Sequence, residues 1–221
     1  MLIESLPLLF LGFGLGFMHA LDADHVMAVS MLSNQKPGFK RSIFHSAHWA
    51  LGHGAVLLLA GILLFGLGVM IPETMQKIAE ASVGVLLIVL GLLCFWQFNK
   101  EKVTLKTHTH GDIQHTHWHD DSHQQQGAHK PIFIGALHGL AGSAPALALI
   151  PAVASGQLSL ALTYLVLFSV GVMLSMLAFG LGFGVFQRWL SKHYQQVFQY
   201  SRHALASFSI VLGGFWLVQA I

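Results

Sequence analysis

Long apolar runs occupy most of this chain, and they restrict it to folds in which hydrophobic helices are surrounded by lipid. Hydrophobic residues make up 54% of the 221 residues and charged residues only 9%, which is outside the range of soluble domains. Runs long enough to cross roughly 30 Å of hydrocarbon lie at 6–32, 43–71, 78–98, 132–154, 159–187 and 203–221. We therefore predict an all-α integral membrane protein with six transmembrane helices.

The basic residues between these runs predict the orientation of the chain. Ten of the 11 Lys and Arg residues fall on one side, and only Lys77 falls on the other. By the positive-inside rule that side is cytoplasmic, and both termini lie outside. The net charge of +2 follows from this topology and indicates no nucleic-acid partner. The expected location is a bacterial cytoplasmic (inner) membrane, which the chain crosses several times.

Two short sequence similarities indicate an internal repeat. Gly16-Phe-Met-His-Ala-Leu21 is similar to Gly135-Ala-Leu-His-Gly-Leu140, and Ile88-Val-Leu-Gly91 is similar to Ile210-Val-Leu-Gly213. The offsets are nearly constant, at 119 and 122 residues. We predict a first three-helix repeat at 1–98, a loop at 99–131 and a second three-helix repeat at 132–221. Three helices per half imply inverted repeats, in which spans 1 and 4 face each other.

Four ionisable side chains interrupt the first apolar run, namely His19, Asp22, Asp24 and His25. Each costs on the order of 2.5 to 3.5 kcal/mol at the centre of a membrane helix. On a regular helix His19, Asp22 and His25 share one stripe, and Asp24 points to a different flank. We expect the helix to unwind near Ala23, or another helix to complete the site. A polar network that only fastens helices is the alternative, but such networks usually use Ser, Thr, Asn or Gln.

Further histidines in the apolar runs are candidate ligands for the same site. His53 in span 2 and His138 in span 4 are the principal ones, although each is also able to act as a hydrogen-bond partner between helices. His45 and His48 lie nearer the cytoplasmic end, where a structural role explains them equally well. Imidazole nitrogen with carboxylate oxygen is typical of first-row divalent metal sites. Ligand type alone admits Zn²⁺, Cu²⁺ and Mn²⁺ as well as Ni²⁺ and Co²⁺.

The loop at 99–131 is unusually rich in histidine. It is polar and without periodicity, so we predict disorder, with metal binding by the mass of ligands rather than by a designed geometry. On the cytoplasmic side it would buffer the ion after uptake or collect it before export. Its histidines are His108, His110, His115, His117, His119, His123 and His129.

Two motifs carry a family resemblance. His19-Ala-Leu-Asp-Ala-Asp-His25 resembles the hallmark motif of the nickel/cobalt transporter (NiCoT) family, and Trp49-Ala-Leu-Gly-His-Gly-Ala-Val56 is similar to that family's following-helix motif. The resemblance implies that His19, Asp22, Asp24, His25 and His53 act in selectivity and translocation. Six spans, rather than the eight of the long members, are more similar to the short branch of urease-accessory nickel permeases. That branch resembles the membrane domain of thiol-disulfide electron carriers.

These observations predict a secondary transporter that takes up Ni²⁺ or Co²⁺, with no permanently bound cofactor and no enzymatic activity. Expected partners are the divalent metal ion, the lipid bilayer and cytoplasmic nickel-handling proteins. The His-rich loop resembles nickel/cobalt exporters, so efflux is the first alternative. A thiol-disulfide electron carrier is the second, but it needs two cysteines and the chain has only Cys94. The sequence contains neither a Gly-x-x-x-x-Gly-Lys-Ser/Thr loop nor a His-Glu-x-x-His motif, which argues against an ATPase and a metalloprotease.

Overall fold

The computed structural model describes residues 2–34, 39–67, 72–100, 106–110, 113–117, 129–141 and 156–220. The helices are α1 (Leu2–His19), α2 (Ala23–Asn34), α3 (Phe39–Leu67), α4 (Glu73–Lys100), α5 (His129–Leu140), α6 (Leu158–His193) and α7 (Gln195–Ala220). A short hairpin consists of β1 (Lys106–His110) and β2 (Ile113–His117). The prediction of an all-α architecture is therefore correct for the described parts of the apolar runs.

The helices have the length and hydropathy of membrane spans. Within the described residues four helices, α3, α4, α6 and α7, are each long and apolar enough to cross a bilayer. The pair α1 and α2 passes the same test together but is bent by 55°. The predicted span 132–154 starts within α5, and residues 142–155 lie outside the described part of the chain. The protein is thus a multi-pass membrane protein with four to five candidate spans among its described helices.

The first span is broken at 20–22, within the acidic motif. The amide groups of Leu21 and Asp22 donate to carbonyls three residues earlier, those of Met18 and His19, at 3.0 Å each. Regular four-residue spacing resumes only when Val26 donates to Asp22. Asp side chains compete for nearby backbone groups and weaken helices in this way. The predicted unwinding therefore occurs, immediately before Ala23.

The helices pack in pairs around α2. Helix α1 lies along α6, α3 contacts both α5 and α6, and α4 lies along α7. The short helix α2 contacts α3, α4, α6 and α7, so the segment after the break lies in the centre of the bundle.

Glycine positions show that two of these interfaces have the same construction. A Cβ at Gly16 of α1 would overlap the carbonyl oxygen of Phe168 in α6. A Cβ at Gly135 of α5 would overlap the carbonyl oxygen of Trp49 in α3. Gly135 follows Gly16 by 119 residues, and Phe168 follows Trp49 by the same 119. The close approach of α1 to α6 therefore recurs between α5 and α3.

A second pair of close contacts obeys the same offset. Gly52 abuts the carbonyl of Ile132, and Gly171 abuts the carbonyl of Phe13. Gly171 follows Gly52 by 119 residues, as Ile132 follows Phe13. Absence of a side chain at such positions allows helix backbones to approach closely, as is typical of membrane helix interfaces.

The α4–α7 pair shows the second offset of the repeat. A Cβ at Gly84 would lie against the carbonyl oxygen of Gly213, and a Cβ at Gly213 would lie against that of Gly84. A Cβ at Gly91 would lie against the carbonyl oxygen of Ala206. Ala206 follows Gly84 by 122 residues, as Gly213 follows Gly91. The antiparallel interface therefore maps onto itself when its two helices are exchanged.

The order of contacts gives the directions of the helices. Gly12 and Gly16 of α1 meet Tyr164 and Phe168 of α6, so these two helices are parallel. Likewise α3 and α5 are parallel, because Gly135 and Gly139 abut the carbonyls of Trp49 and His53. By contrast α3 and α6 are antiparallel, since Gly54 meets Ser169 and Gly180 meets Ser46. Helices α1 and α5 therefore run in opposite directions.

The first and fourth spans approach each other near the helix break, where α2 contacts α5 and the rings of His25 and His138 are 5.4 Å apart. Among the described residues α1 packs on α6 rather than on α5, and α5 packs on α3, because the glycines that permit close approach point to those partners. Residues 142–154 of the predicted fourth span lie outside the described part of the chain, so the face-to-face packing of spans 1 and 4 stays a prediction.

The segment 99–131, for which the sequence predicts disorder, is helix or strand in its described parts. Helix α4 extends to Lys100, α5 begins at His129, and the two strands pair antiparallel with His108 opposite His115. Thr at alternate positions favours strands, since β-branched residues fit a pleated backbone. Residues 101–105, 111–112 and 118–128 lie outside the described residues.

Candidate metal centre

Four helices each bring one histidine to the centre of the bundle. His19 is in the last turn of α1, His25 near the start of α2, His53 within α3 and His138 in the last turn of α5. The ring centroid of His25 lies 4.5 Å from that of His19, 5.2 Å from His53 and 5.4 Å from His138. All four are buried. The structure thus brings together the four principal histidines that the sequence singled out.

Two overlapping groups in this cluster have the spacing of metal ligands. His19, His25 and His53 each offer one nitrogen, and these atoms lie within 4.8 Å of one another. Asp22, Asp24 and His25 form a second group under the same limit. Ligands on opposite sides of one ion are separated by about 4.2 Å, given metal–nitrogen bonds of about 2.1 Å. A contraction of under about one ångström would therefore let the first group share an ion.

Two of the histidines have one nitrogen engaged and the other without a partner. Nδ1 of His138 donates to the carbonyl of Ile134 at 2.8 Å, and Nδ1 of His25 lies 2.9 Å from Oδ1 of Asp24. Within the described residues, Nε2 of each ring has no hydrogen-bond partner. Metal-binding histidines typically have this arrangement, because the second hydrogen bond fixes the tautomer and the ring orientation.

The other two histidines are held differently. Nδ1 of His19 lies 2.8 Å from Oδ2 of Asp22, but the angle is too poor for a hydrogen bond, so the contact is electrostatic. His53 has no hydrogen-bond partner at either nitrogen within the described residues. Its ring stacks on Trp49 at 5.0 Å with an interplanar angle of 15°. His53 is therefore oriented by aromatic packing rather than by a polar neighbour.

Each carboxylate pairs with a histidine close to it in the sequence. Asp24 was expected on a different flank from the stripe of His19, Asp22 and His25, and this is wrong, because Asp24 lies beside Asp22 and His25. The expectation took 19–25 as one regular helix, whereas α2 is bent from α1 by 55° at the break. The side chain of Asp24 is 13% exposed and that of Asp22 is 46% exposed. Asp22 is thus the more accessible member of the cluster.

Aromatic side chains enclose the cluster on two sides. Trp49 is fully buried, and its ring meets the rings of His25 at 4.9 Å and His138 at 5.5 Å. Phe168 contacts His19 at 5.8 Å. Sequence reasoning quoted Trp49 within a motif and missed Phe168. The signal existed, since Phe168 follows Trp49 by the repeat offset of 119 residues.

The remaining candidates lie outside the cluster. His48 donates from Nδ1 to the carbonyl of Phe44 at 2.8 Å. His45 is buried, and its ring is 6.0 Å from that of Phe44. Within the described residues neither belongs to a group with metal-ligand spacing. Of the loop histidines, His119 and His123 lie outside the described residues, His129 begins α5, and the hairpin carries His108, His110, His115 and His117.

Comparisons with known proteins agree with this architecture. Residues 8–213 match the family described as cytochrome C biogenesis protein transmembrane region. The chain is also similar to the urease accessory protein UreH of Bacillus sp. (strain TB-90), with 32% identity over 180 residues. The alignment covers 80% of this chain and 76% of that relative. No solved structure matches the chain at a significant level. The chain therefore belongs to the cytochrome C biogenesis transmembrane-region family, as a UreH-like member of it.

Proposed function

We propose that this protein is a secondary transporter that carries Ni²⁺, with Co²⁺ as a second substrate, into the cytoplasm. The observation that carries the proposal is the group of buried imidazole nitrogens, at the centre of a membrane bundle, that have no partner among the described residues. Leaving such polar atoms unpaired inside a membrane protein is costly. A network that only fastened helices would pair these nitrogens with one another or with the carboxylates, and most of them are unpaired.

The choice of nickel rests on ligand chemistry and on similarity. Imidazole favours Ni²⁺ and Co²⁺ over Mg²⁺ and Ca²⁺, which prefer oxygen. The name of the similar Bacillus protein ties it to urease as an accessory protein, and the motifs resemble those of urease-accessory nickel permeases. A transport role, without an enzymatic reaction, agrees with both.

Each member of the cluster has a proposed role. His19, His25, His53 and His138 replace the inner water ligands of the ion. Asp24 orients His25, and the accessible Asp22 attracts the hydrated ion and lies against His19. The His-rich segment binds the ion on the cytoplasmic side. His45 and His48 have at most a secondary part.

Uptake is favoured on energetic grounds. A divalent cation that moves into a compartment with a negative-inside potential gains roughly 4.6 kcal/mol per 100 mV, so no coupled ion is required. Export would have to oppose this gradient with a second ion. One feature favours export, namely the His-rich segment between α4 and α5 on the basic side, and it makes efflux the second candidate. A thiol-disulfide carrier would need a second cysteine beside the buried Cys94.

We also propose that the chain is a pair of inverted repeats with six spans and both termini outside. The matched glycine contacts at offsets of 119 and 122 residues support the repeat. The opposite directions of α1 and α5 support the inversion. In such proteins the substrate site lies near the midplane, between the repeats.

The test is the flux of ⁶³Ni²⁺ into oriented proteoliposomes under an imposed negative-inside potential. Three proteins are compared: the intact chain, the His19→Ala variant and a variant lacking residues 107–129. Flux toward the basic side that disappears in His19→Ala and persists in the deletion supports uptake through the central cluster. Flux only in the opposite direction, dependent on a proton gradient and lost in the deletion, would establish export. Absence of nickel flux in the intact protein would reject the nickel assignment.

A further inference from the structure

Five serine hydroxyls are buried without hydrogen-bond partners among the described residues, and three of them, on α3 and α6, lie on the basic side of the histidine cluster. Ser42 and Ser46 of α3 are fully buried and Ser175 of α6 is 1% exposed. Within the described residues none of the three Oγ atoms has a hydrogen-bond partner. Serines in helices usually satisfy themselves by donating to a carbonyl of the preceding turn. Ser82 does so here, with its Oγ 2.7 Å from the carbonyl oxygen of Ile78.

The three hydroxyls, which we call the inner hydroxyl row, lead away from the cluster toward one end of the bundle. Ser42, Ser46, Trp49 and His53 are spaced by four, three and four residues, so they lie on one face of α3. Going from His53 toward Ser42 leads to the end of α3 that carries Lys40 and Arg41. The inner hydroxyl row therefore lies between the cluster and the basic side.

Helix α6 forms the opposite wall of this row. Ser175 lies two turns after Phe168, the residue that contacts His19, and on the same face of α6. Further along α6, a Cβ at Gly180 would collide with Oγ of Ser46 and lie 3.0 Å from the carbonyl oxygen of Ser42. Ser42 and Ser46 thus lie in the interface between α3 and α6, and Ser175 lies on the face of α6 that carries Phe168.

The repeat provides an internal reference for this interface. At an offset of 119 residues, Ser42 corresponds to Ala161, Ser46 to Leu165 and Ser175 to Val56. Ala161 and Leu165 are fully buried, like their serine counterparts. The three counterparts on the other side of the cluster are therefore aliphatic residues.

Packing alone does not explain the difference. Ala161 shows that an alanine fits at the position equivalent to Ser42, so close packing does not require the hydroxyl. An unpaired buried hydroxyl costs free energy. The three hydroxyls have aliphatic counterparts on the other side of the cluster, which indicates a partner that is present during only part of a transport cycle.

We propose that the inner hydroxyl row lines the passage of the hydrated metal ion between the histidine cluster and the basic side. The passage opens when α3 and α6 separate, and the hydroxyls then replace part of the ion's outer hydration. The aliphatic counterparts close the other half in the same conformation. This inference rests on the proposed function, because it assigns the route by which that same site exchanges its ion.

The first experiment measures accessibility and does not depend on flux. In a Cys94→Ala background, single cysteines replace Ser42, Ser46 and Ser175, and matched controls carry cysteine at Ala161, Leu165 and Val56. A membrane-impermeant, water-soluble thiol reagent is added from the basic side, with and without Ni²⁺. We expect modification at the three serine positions, slowed by Ni²⁺, and none at the controls. Equal modification of both sets, or modification of neither, would overturn the route.

The second experiment uses substitutions that barely alter packing. The variant Ser42→Ala, Ser46→Ala, Ser175→Ala is expected to lower the maximal Ni²⁺ flux at least about tenfold. Ni²⁺ affinity of the cluster, measured by calorimetry in detergent, should stay within about twofold because the ligands are untouched. A lower thermal unfolding temperature without loss of flux would mean a structural role and reject the proposal. Equal losses of flux and affinity would reject a separate passage.

The experiments distinguish a failure of the proposed function from a failure of the proposed passage. If the intact protein carries no Ni²⁺, the proposed function fails, and the cysteine pattern still decides whether a polar passage exists. If the intact protein carries Ni²⁺ and the triple variant carries it equally well, only the passage is wrong.

Discussion

His19 and His138 hold equivalent places in the two halves of the chain but have different neighbours. They are 119 residues apart, each lies in the last turn of its helix, and each contacts an aromatic ring of the helix packed beside it. His19 lies against the accessible carboxylate of Asp22, whereas His138 donates to the buried backbone carbonyl of Ile134. The partner of His19 is therefore a partly exposed carboxylate, and the partner of His138 is a neutral backbone carbonyl.

The difference extends along both motifs. At the same offset, the second half carries Ala141, Ser143 and Ala144 where the first half carries Asp22, Asp24 and His25. The second half has kept the glycine contacts and one imidazole, and it lacks the carboxylates. The comparison indicates that the scaffold is shared between the halves while the ion chemistry is concentrated in the first.

The largest effect should follow the removal of His25, whose counterpart in the second half is Ala144. His25→Ala is expected to reduce Ni²⁺ flux by more than about 100-fold, because His25 contacts the other three rings and a lost ligand costs more than a lost supporting residue. Proteoliposome flux checks this. His203→Ala is the matched control, since His203 is a partly buried histidine of α7 bonded to the carbonyl of Gln199. Comparable losses in both variants would mean that the cluster has no special role.

The next effect separates the two carboxylates. Asp24→Asn should weaken Ni²⁺ binding by about 10- to 100-fold, because it removes the charge that orients His25. Asp22→Asn should cost less, since Asp22 is 46% exposed and its contact with His19 is poorly aligned. Calorimetric titration of each variant in detergent measures both. The reverse ranking would make Asp22 the principal partner.

A stability comparison tests the shared scaffold. Gly16→Ala and Gly135→Ala each place a Cβ against a backbone carbonyl, so each should destabilise the protein by about 1 to 3 kcal/mol, and by similar amounts. Gly14→Ala is the control, because nothing lies within 4 Å of its added Cβ. Thermal unfolding in detergent gives the ranking. A large effect at only one of the two glycines would contradict equivalent interfaces.

The smallest effect is expected outside the cluster. His48→Ala should change Ni²⁺ flux by less than about twofold, since its ring is partly exposed and bonded to the preceding turn. Flux measured beside His25→Ala provides the scale. A loss approaching that of His25→Ala would place His48 on the ion's path.

Much of the bundle could be predicted from the sequence because lipid imposes a simple rule on hydropathy. The five described helices or helix pairs coincide with predicted spans, and the histidines of the central cluster were chosen from their cost in an apolar environment. Helix partners were harder. Gly16 allows α1 to approach α6 and Gly135 allows α5 to approach α3, and sequence periodicity does not reveal which neighbour a glycine meets.

The contacts of individual side chains could not be predicted from the sequence, for a related reason. Phe168 is an ordinary apolar residue until the fold places it against His19. Asp24 was assigned by regular helical spacing, which the break at 20–22 removes. In the hairpin, Thr at alternate positions is typical of a strand, whereas the polarity and histidine content of the segment are typical of disorder. Sequence and structure differ where a local pattern depends on a distant contact or on a departure from regular geometry.

The break in the first span also determines the fixed charge around the cluster. Helices α1 and α5 both end there, and each C-terminus carries the equivalent of about half a negative charge. Helix α2 begins there with the opposite partial charge, and Asp24 in its first turn offsets it. A cation at the proposed site would therefore be attracted partly by peptide dipoles, which, unlike the imidazoles and carboxylates, never titrate.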